Sequence, residues 1–196
     1  MCNHYQKHPE AIAAWADYIG WSLPDAFGET LDDVWPKGEG WVARIEDGEK
    51  RFEPMRWGFE LHVPGKREGT TRKTQVTNIR NLSSPFWRGR VPRIERRCLV
   101  PFTRFAEPKI GQGREEHWFT VPSRPAAAFA GIWDMWNGEP VFAFLTCEPN
   151  SLVKPLHPKA MPVILAEDDY QLWLTGDWNE AQSLVAPFPA QLMRAE

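Results

Sequence analysis

Hydrophobic and polar positions alternate in short runs along most of this chain. A period of two residues marks half-buried strands. It recurs at 41–46 (WVARIE), 52–59 (FEPMRWGF), 75–80 (QVTNIR), 98–102 (CLVPF), 117–121 (HWFTV), 128–136 (AFAGIWDMW), 141–147 (VFAFLTC) and 161–165 (MPVIL). Glycine, proline, asparagine or charged residues bound each run, and Gly138-Glu139-Pro140 predicts a turn between two of them. Helical spacing is rarer. Residues 9–19 put Ile12, Trp15 and Ile19 on one face, with Pro9 suited to the first turn and Gly20 to the stop. One turn is predicted at 149–153 and short helices at 167–174, with acids in its first turn, and at 178–184. Residues 22–38, rich in proline, glycine and acids, and the basic stretch 62–74 (HVPGKREGTTRKT) read as loops. Eighteen prolines keep the elements short. The pattern predicts an α+β fold, a curled and mostly antiparallel sheet or barrel-like core with a few short peripheral helices.

Composition narrows the class. A chain of 196 residues suits one domain over 1–196 and can bury a core without disulfides. Eleven tryptophans and eleven phenylalanines against three tyrosines supply core, and flat rings that can also stack on bases. A net charge of −3 argues against coating nucleic acid by bulk electrostatics and leaves room for a local basic groove. The cysteines, at 2, 98 and 147, form no CxxC pair, which excludes a zinc ribbon or disulfide scaffold and fits a reducing cytosol. His4, His8, His62 and His117 have no metal-ligand spacing, so neither a metal nor another cofactor is expected. No signal sequence and no long apolar window are present, so no membrane partner is expected and a cytoplasmic location is.

The candidate chemistry starts at residue 2. Loss of Met1 would leave Cys2 with an amine and a thiol on adjacent carbons. An aldehyde could form a Schiff base with the amine and then a thiazolidine with the sulfur. An α-amino group titrates near ~7.7–8.0 and a thiol near ~8.5, so both are usable near neutrality. Asn78 and Arg80 alternate with apolar residues in Val76-Thr77-Asn78-Ile79-Arg80, either as a solvated strand face or as groups that orient a substrate and grip phosphate. Arg88, Arg90, Arg93, Arg96 and Arg97 crowd ten residues beside Phe86 and Trp87, either as a solvated helix or as a single-strand groove. Glu107 follows an apolar run, where a raised pKa would suit acid–base work. His157, in Pro155-Leu156-His157-Pro158-Lys159, is either a proton shuttle on a rigid loop or a structural histidine.

Taken together these segments resemble the SRAP family, the SOS-response-associated proteins that include the eukaryotic sensor of abasic DNA. The resemblance rests on Met1-Cys2, Met55-Arg56-Trp57-Gly58, Thr77-Asn78-Ile79-Arg80 and Arg96-Arg97-Cys98-Leu99-Val100-Pro101 leading to Phe105-Ala106-Glu107. It continues through Phe129-Ala130-Gly131-Ile132-Trp133 and Leu145-Thr146-Cys147-Glu148-Pro149-Asn150 to Leu156-His157 ahead of Met161-Pro162-Val163-Ile164-Leu165. It implies a monomer that cross-links abasic sites in single-stranded DNA, is cytoplasmic, and joins the nucleoid on damaged DNA. Cys2 would be the nucleophile, Asn78 would hold the sugar, Glu107 would be the acid–base group of lyase-like Schiff-base chemistry, and His157 would assist sugar opening. Arg80 would grip phosphate, and Trp57, Arg88, Arg90, Arg96, Arg97 and Lys159 would line the DNA channel. The chain departs from the family at Cys2-Asn3-His4, where Cys-Gly-Arg is usual, and at Pro108, where tryptophan is usual. Two alternatives stand beside this reading. One is an N-terminal-nucleophile cysteine peptidase or autoprocessing hydrolase, since the family's peptidase label reflects removal of its own leading residue. The other is a non-catalytic single-strand binder.

Overall fold

The computed structural model describes residues 2–29 and 32–196. In chain order the strands begin with β1 (His4–Gln6), β2 (Asp33–Val34), β3 (Glu39–Glu46), β4 (Glu49–Trp57), β5 (Phe59–Pro64), β6 (Thr71–Val76) and β7 (Asn78–Ile79). They continue with β8 (Arg97–Phe102), β9 (Arg104–Pro108), β10 (Glu116–Thr120), β11 (Ala127–Trp136), β12 (Glu139–Cys147), β13 (Met161–Pro162), β14 (Ile164–Leu165) and β15 (Arg194–Ala195). The α-helices are α1 (Pro9–Tyr18), α2 (Tyr170–Thr175) and α3 (Trp178–Ala181).

Five strands close on themselves. β4 pairs with β3, β3 with β8, β8 with β11, β11 with β12, and β12 returns to β4, the last contact being the parallel one. Closure removes free edges from this core. The long hairpins turn on Asp47-Gly48 and Asn137-Gly138, whose φ values of 51° and 82°, and 53° and 84°, are those of the two-residue turn that matches strand twist. The second turn sits one residue earlier than the predicted Gly138-Glu139-Pro140. Alternation delivers the aromatic side chains inward: Phe102 stacks on Phe129 at 3.9 Å, Phe129 meets Phe144 at 4.5 Å, and Trp57 stacks on Phe144 at 5.1 Å. β11 can lie this close to β8 because residue 131 is glycine. A methyl group there would sit 2.7 Å from Cys98 Sγ and 2.8 Å from Val100 Cγ2.

A second, antiparallel sheet runs in the order β15, β10, β9, β1, β2. β8 and β9 are separated by one residue, Thr103, so the chain passes directly from the barrel into this sheet. β1 pairs with β9 with His4 opposite Ala106 and Tyr5 opposite Phe105, which draws the start of the chain against Glu107. β9 in turn pairs with β10, with His117 opposite Glu107. The basic stretch read as a loop is instead most of a two-stranded ribbon, β5 with β6, registered from Phe59 opposite Val76 to Pro64 opposite Thr71. Its polar residues lie on both faces, which erased the alternation. α1 packs Ile12, Trp15 and Ala16 inward as its spacing predicts.

Candidate active site at the first strand

Four segments distant in sequence converge beside the first strand. Asn78 is the first residue of β7, which runs parallel to β12 with Asn78 opposite Phe144. Its Nδ2 donates to the Cys2 carbonyl at 2.8 Å and to Thr77 Oγ1 at 2.9 Å. Asn78 Oδ1 is buried without a hydrogen-bond partner among the described residues. Glu107 enters from β9. His157 enters from the turn after β12, where its N–H donates to the Val153 carbonyl at 2.8 Å. The His157 ring lies with Nδ1 3.0 Å from the Ala160 carbonyl and Nε2 3.5 Å from Glu107 Oε2. A carbonyl can only accept, so Nδ1 carries the proton and Nε2 offers its lone pair to the glutamate side.

The cluster is closed to solvent. Cys2 and Glu107 are fully buried, and Asn78 and His157 nearly so. Burial pushes the Cys2 thiol well above its ordinary range, with the Glu107 charge adding to the effect. Burial also pushes Glu107 up to about 7. It lowers His157, against the help of the Ala160 carbonyl. Desolvation disfavours each charged form, so thiol, carboxyl and imidazole are all drawn toward neutrality near pH 7. A carboxyl and an imidazole with pKa values drawn toward each other can pass one proton between them and a reacting group. Cys2 Sγ itself is 3.4 Å from the His4 carbonyl.

His4, where the family has arginine, does not reach outward. It is buried, with Nε2 2.6 Å from Asp33 Oδ1 and Nδ1 2.8 Å from Glu116 Oε2. Its ring stacks on Trp35 at 3.6 Å and meets the edge of Trp118 at 4.6 Å. Hydrogen bonds from Gln6 and His4 hold Asp33 below the usual carboxylate range, although partial burial opposes them. Sequence reasoning missed Trp35, Glu116 and Glu148 as parts of the site. The lone tryptophan of Trp35-Pro36 inside a loop-like stretch is the available signal.

The proposed DNA contacts fare unevenly. Arg80 is exposed at the end of β7 and is paired with Glu148. Lys159 is exposed and close enough to lower His157. Trp57 has no exposed surface, so it cannot stack on a base; its Nε1 donates to the Thr77 carbonyl at 3.0 Å and braces the backbone just before Asn78. Arg97 is likewise buried, its guanidinium directed at the carbonyls of Val91, Pro92, Trp173 and Gly176. Arg90 and Arg96 share Asp134, at 3.0 and 2.9 Å, and lie over the rings of Phe86 and Trp133 respectively. The segment is a series of turns ending in one 3-10 turn (Ile94–Arg96) and not an α-helix, and the acid shared by Arg90 and Arg96 comes from β11. Arg88 is exposed and makes no ion pair with the described residues. Arg93 is also exposed and pairs with Glu95 at 2.6 Å. The cluster is therefore mainly structural, and the cations at the site are Arg80 and Lys159.

Among the described residues no group of three His, Cys, Asp or Glu side chains is arranged to hold a metal, and no helix is long and apolar enough to cross a membrane. A closed barrel whose flanking sheet holds Cys2 against a buried Asn–Glu–His set defines a small α+β protein built around its own first strand. The chain belongs to the SOS response associated peptidase (SRAP) family, whose profile matches residues 1–196. It is similar to a solved protein from Bordetella bronchiseptica at 25% identity and a TM-score of 0.76, over 99% of this chain and 98% of that one. It shares its fold with a Bacteroides thetaiotaomicron protein (23% identity, TM-score 0.76, 99% and 90% covered). A phage-related protein from Bordetella bronchiseptica has the same fold at 16% identity and a TM-score of 0.71, with 100% and 92% covered. No curated protein matches the chain. Membership supports a function associated with DNA damage and an affinity for DNA.

Proposed function

We propose that this chain acts as one domain over 1–196, as a cytoplasmic monomer that joins the nucleoid on damaged DNA. There it traps abasic sites in single-stranded DNA through Cys2. The observation that supports this reading most is the convergence of Cys2, Asn78, Glu107 and His157 in one water-poor cluster, with Asn78 bonded to the Cys2 carbonyl and Glu107 3.5 Å from His157. Met1, whose removal the reading requires, lies outside the described residues.

The reaction follows from the groups present. The free Cys2 amine adds to the aldehyde carbon of the ring-opened sugar, giving a carbinolamine. Glu107, protonated up to about pH 7, donates a proton to the departing hydroxyl; water leaves and an imine forms. Cys2 Sγ then adds to the imine carbon while its proton passes through the Glu107–His157 pair to the nitrogen. One water is lost overall, and no oxidant or reductant is needed. Asn78 holds the backbone of Cys2 and has Oδ1 available for a sugar hydroxyl. Arg80 would exchange Glu148 for a phosphate.

The test is incubation of the purified protein with an abasic single-stranded oligonucleotide, read by denaturing gel and intact mass. A covalent band whose protein part lacks Met1 and whose mass is one water below the sum of its parts is expected, and Cys2→Ala should remove it. A wild-type protein lacking Met1 that gives no such band refutes the proposal. Release of peptide fragments without a DNA adduct would favour the N-terminal-nucleophile peptidase reading.

A further inference from the structure

Trp35 stands apart from the other tryptophans. It leaves 48% of its surface exposed although one face is already covered by His4 at 3.6 Å and 17°. With one face against His4, the exposed part of the residue opens on two hollows that Trp35 lines. The support behind it is unusually stiff: His4 is buried, held at both nitrogens by Asp33 and Glu116, and closed at its edge by Trp118. Arg104 lies over Trp118 at 4.3 Å and bonds Gln6 Oε1 at 2.6 Å, which completes the stack. A surface indole normally loses side-chain freedom when something binds it; here the ring is already fixed, so a ligand meets a prepared surface.

Position and surroundings select the ligand. Cys2 is two residues from His4, at most about 7 Å of backbone. Trp35 forms a wall of two hollows. One, of about 420 Å³, is lined by Asn3, Pro108, Arg114 and Glu116. The other, of about 680 Å³, is lined by Trp41, Phe52 and Lys7. On the side of the smaller hollow the indole offers one flat ring beside Arg114 and Glu116. It is the size of one heteroaromatic ring, and stacking on such a ring is sequence-tolerant because every base has a π-face.

We propose that Trp35 is the platform for the nucleobase next to the abasic sugar, stacked on the face opposite His4 so that the neighbouring sugar falls at Cys2. The proposal rests on the reading of Cys2 as the aldehyde trap.

The test avoids the covalent step. Single-stranded oligonucleotides would carry a tetrahydrofuran abasic analogue, which has no aldehyde, with 2-aminopurine on its 5′ side, on its 3′ side, or six nucleotides away. Quenching by wild-type protein is expected at one adjacent position and not at the remote one. Trp35→Ala should abolish that quenching and weaken binding roughly 5- to 100-fold, as loss of one stacked base does. Trp35→Phe should keep much of both, and serves if the alanine variant does not fold. Equal quenching by wild-type and the alanine variant, or none at either adjacent position in a wild-type complex shown to bind, overturns the proposal. The aldehyde oligonucleotide is assayed in parallel: quenching without cross-linking refutes the trap and leaves the platform standing, while cross-linking without Trp35-dependent quenching does the reverse.

Discussion

Glu107→Gln separates what burial does to this carboxyl from what the carboxyl does for chemistry. Desolvation moves Glu107 from its ordinary 4.5 to about 7. The folded protein therefore keeps this proton at pH values where the unfolded chain has released it. Stability falls as pH rises from about 4.5 to about 7 and then levels off, because over that window the native state binds the extra proton. At about 1.36 kcal/mol per pH unit, the full penalty above pH 7 is about 3 kcal/mol. Glutamine has nearly the same shape and carries no charge at any pH. The variant should match the wild type near pH 4.5 and exceed it by about 3 kcal/mol at pH 8. For a domain of this size that is a rise in Tm of roughly 6–12 °C. Urea unfolding at both pH values, followed by tryptophan fluorescence, measures the difference directly. The same variant should form the adduct more slowly, with little loss of DNA affinity. A gain of equal size at both pH values, or a loss at pH 8, would show that burial does not govern this group.

Further perturbations probe the cations. Glu148→Gln removes the competitor for Arg80, so affinity for a plain single strand should rise severalfold with little change in the salt slope, whereas Arg80→Ala should make the slope of log affinity against log salt shallower by about 0.7; an unchanged slope in Arg80→Ala would take Arg80 out of phosphate binding. Arg97→Ala strands four buried carbonyls and should destabilise the fold by about 3 kcal/mol or more, whereas Arg88→Ala, at an exposed position, should stay within ~0.5 kcal/mol in the same denaturation series.

What the sequence discloses depends on how local each cause is. α1 and the long barrel strands are legible because each carries its own alternation between core and solvent. β1 is three residues long and β9 follows β8 after one, so neither spans enough residues to show a period. The β5–β6 ribbon is polar on both faces and mimics a loop. Cys2, Asn78, Glu107 and His157 stand out through position and motif, and the fold gathers them. The arginine cluster misleads because the acid that neutralises Arg90 and Arg96 is Asp134, some forty residues later in the chain. Trp57 misleads because residue type cannot tell a stacking platform from a core ring. His4 was legible as a departure from its family, but its meaning required Asp33, Trp35 and Glu116, which only the folded sheet brings together.

The pairing of β1 with β9 also sets an order of events during synthesis. Residue 2 is made before the strand that holds it in place, which ends at Pro108, and before the histidine beside Glu107, which is residue 157. At roughly 5–20 residues per second, the ribosome leaves about 8–30 s between them. Through that interval Cys2 has neither its sheet partner nor the buried carboxyl and imidazole beside it. Its thiol is then an ordinary exposed side chain, before burial raises its pKa, and the trimming of Met1 that the proposal requires would fall in this window. The buried cluster forms late and all at once, when the chain from β9 to His157 has folded around Cys2.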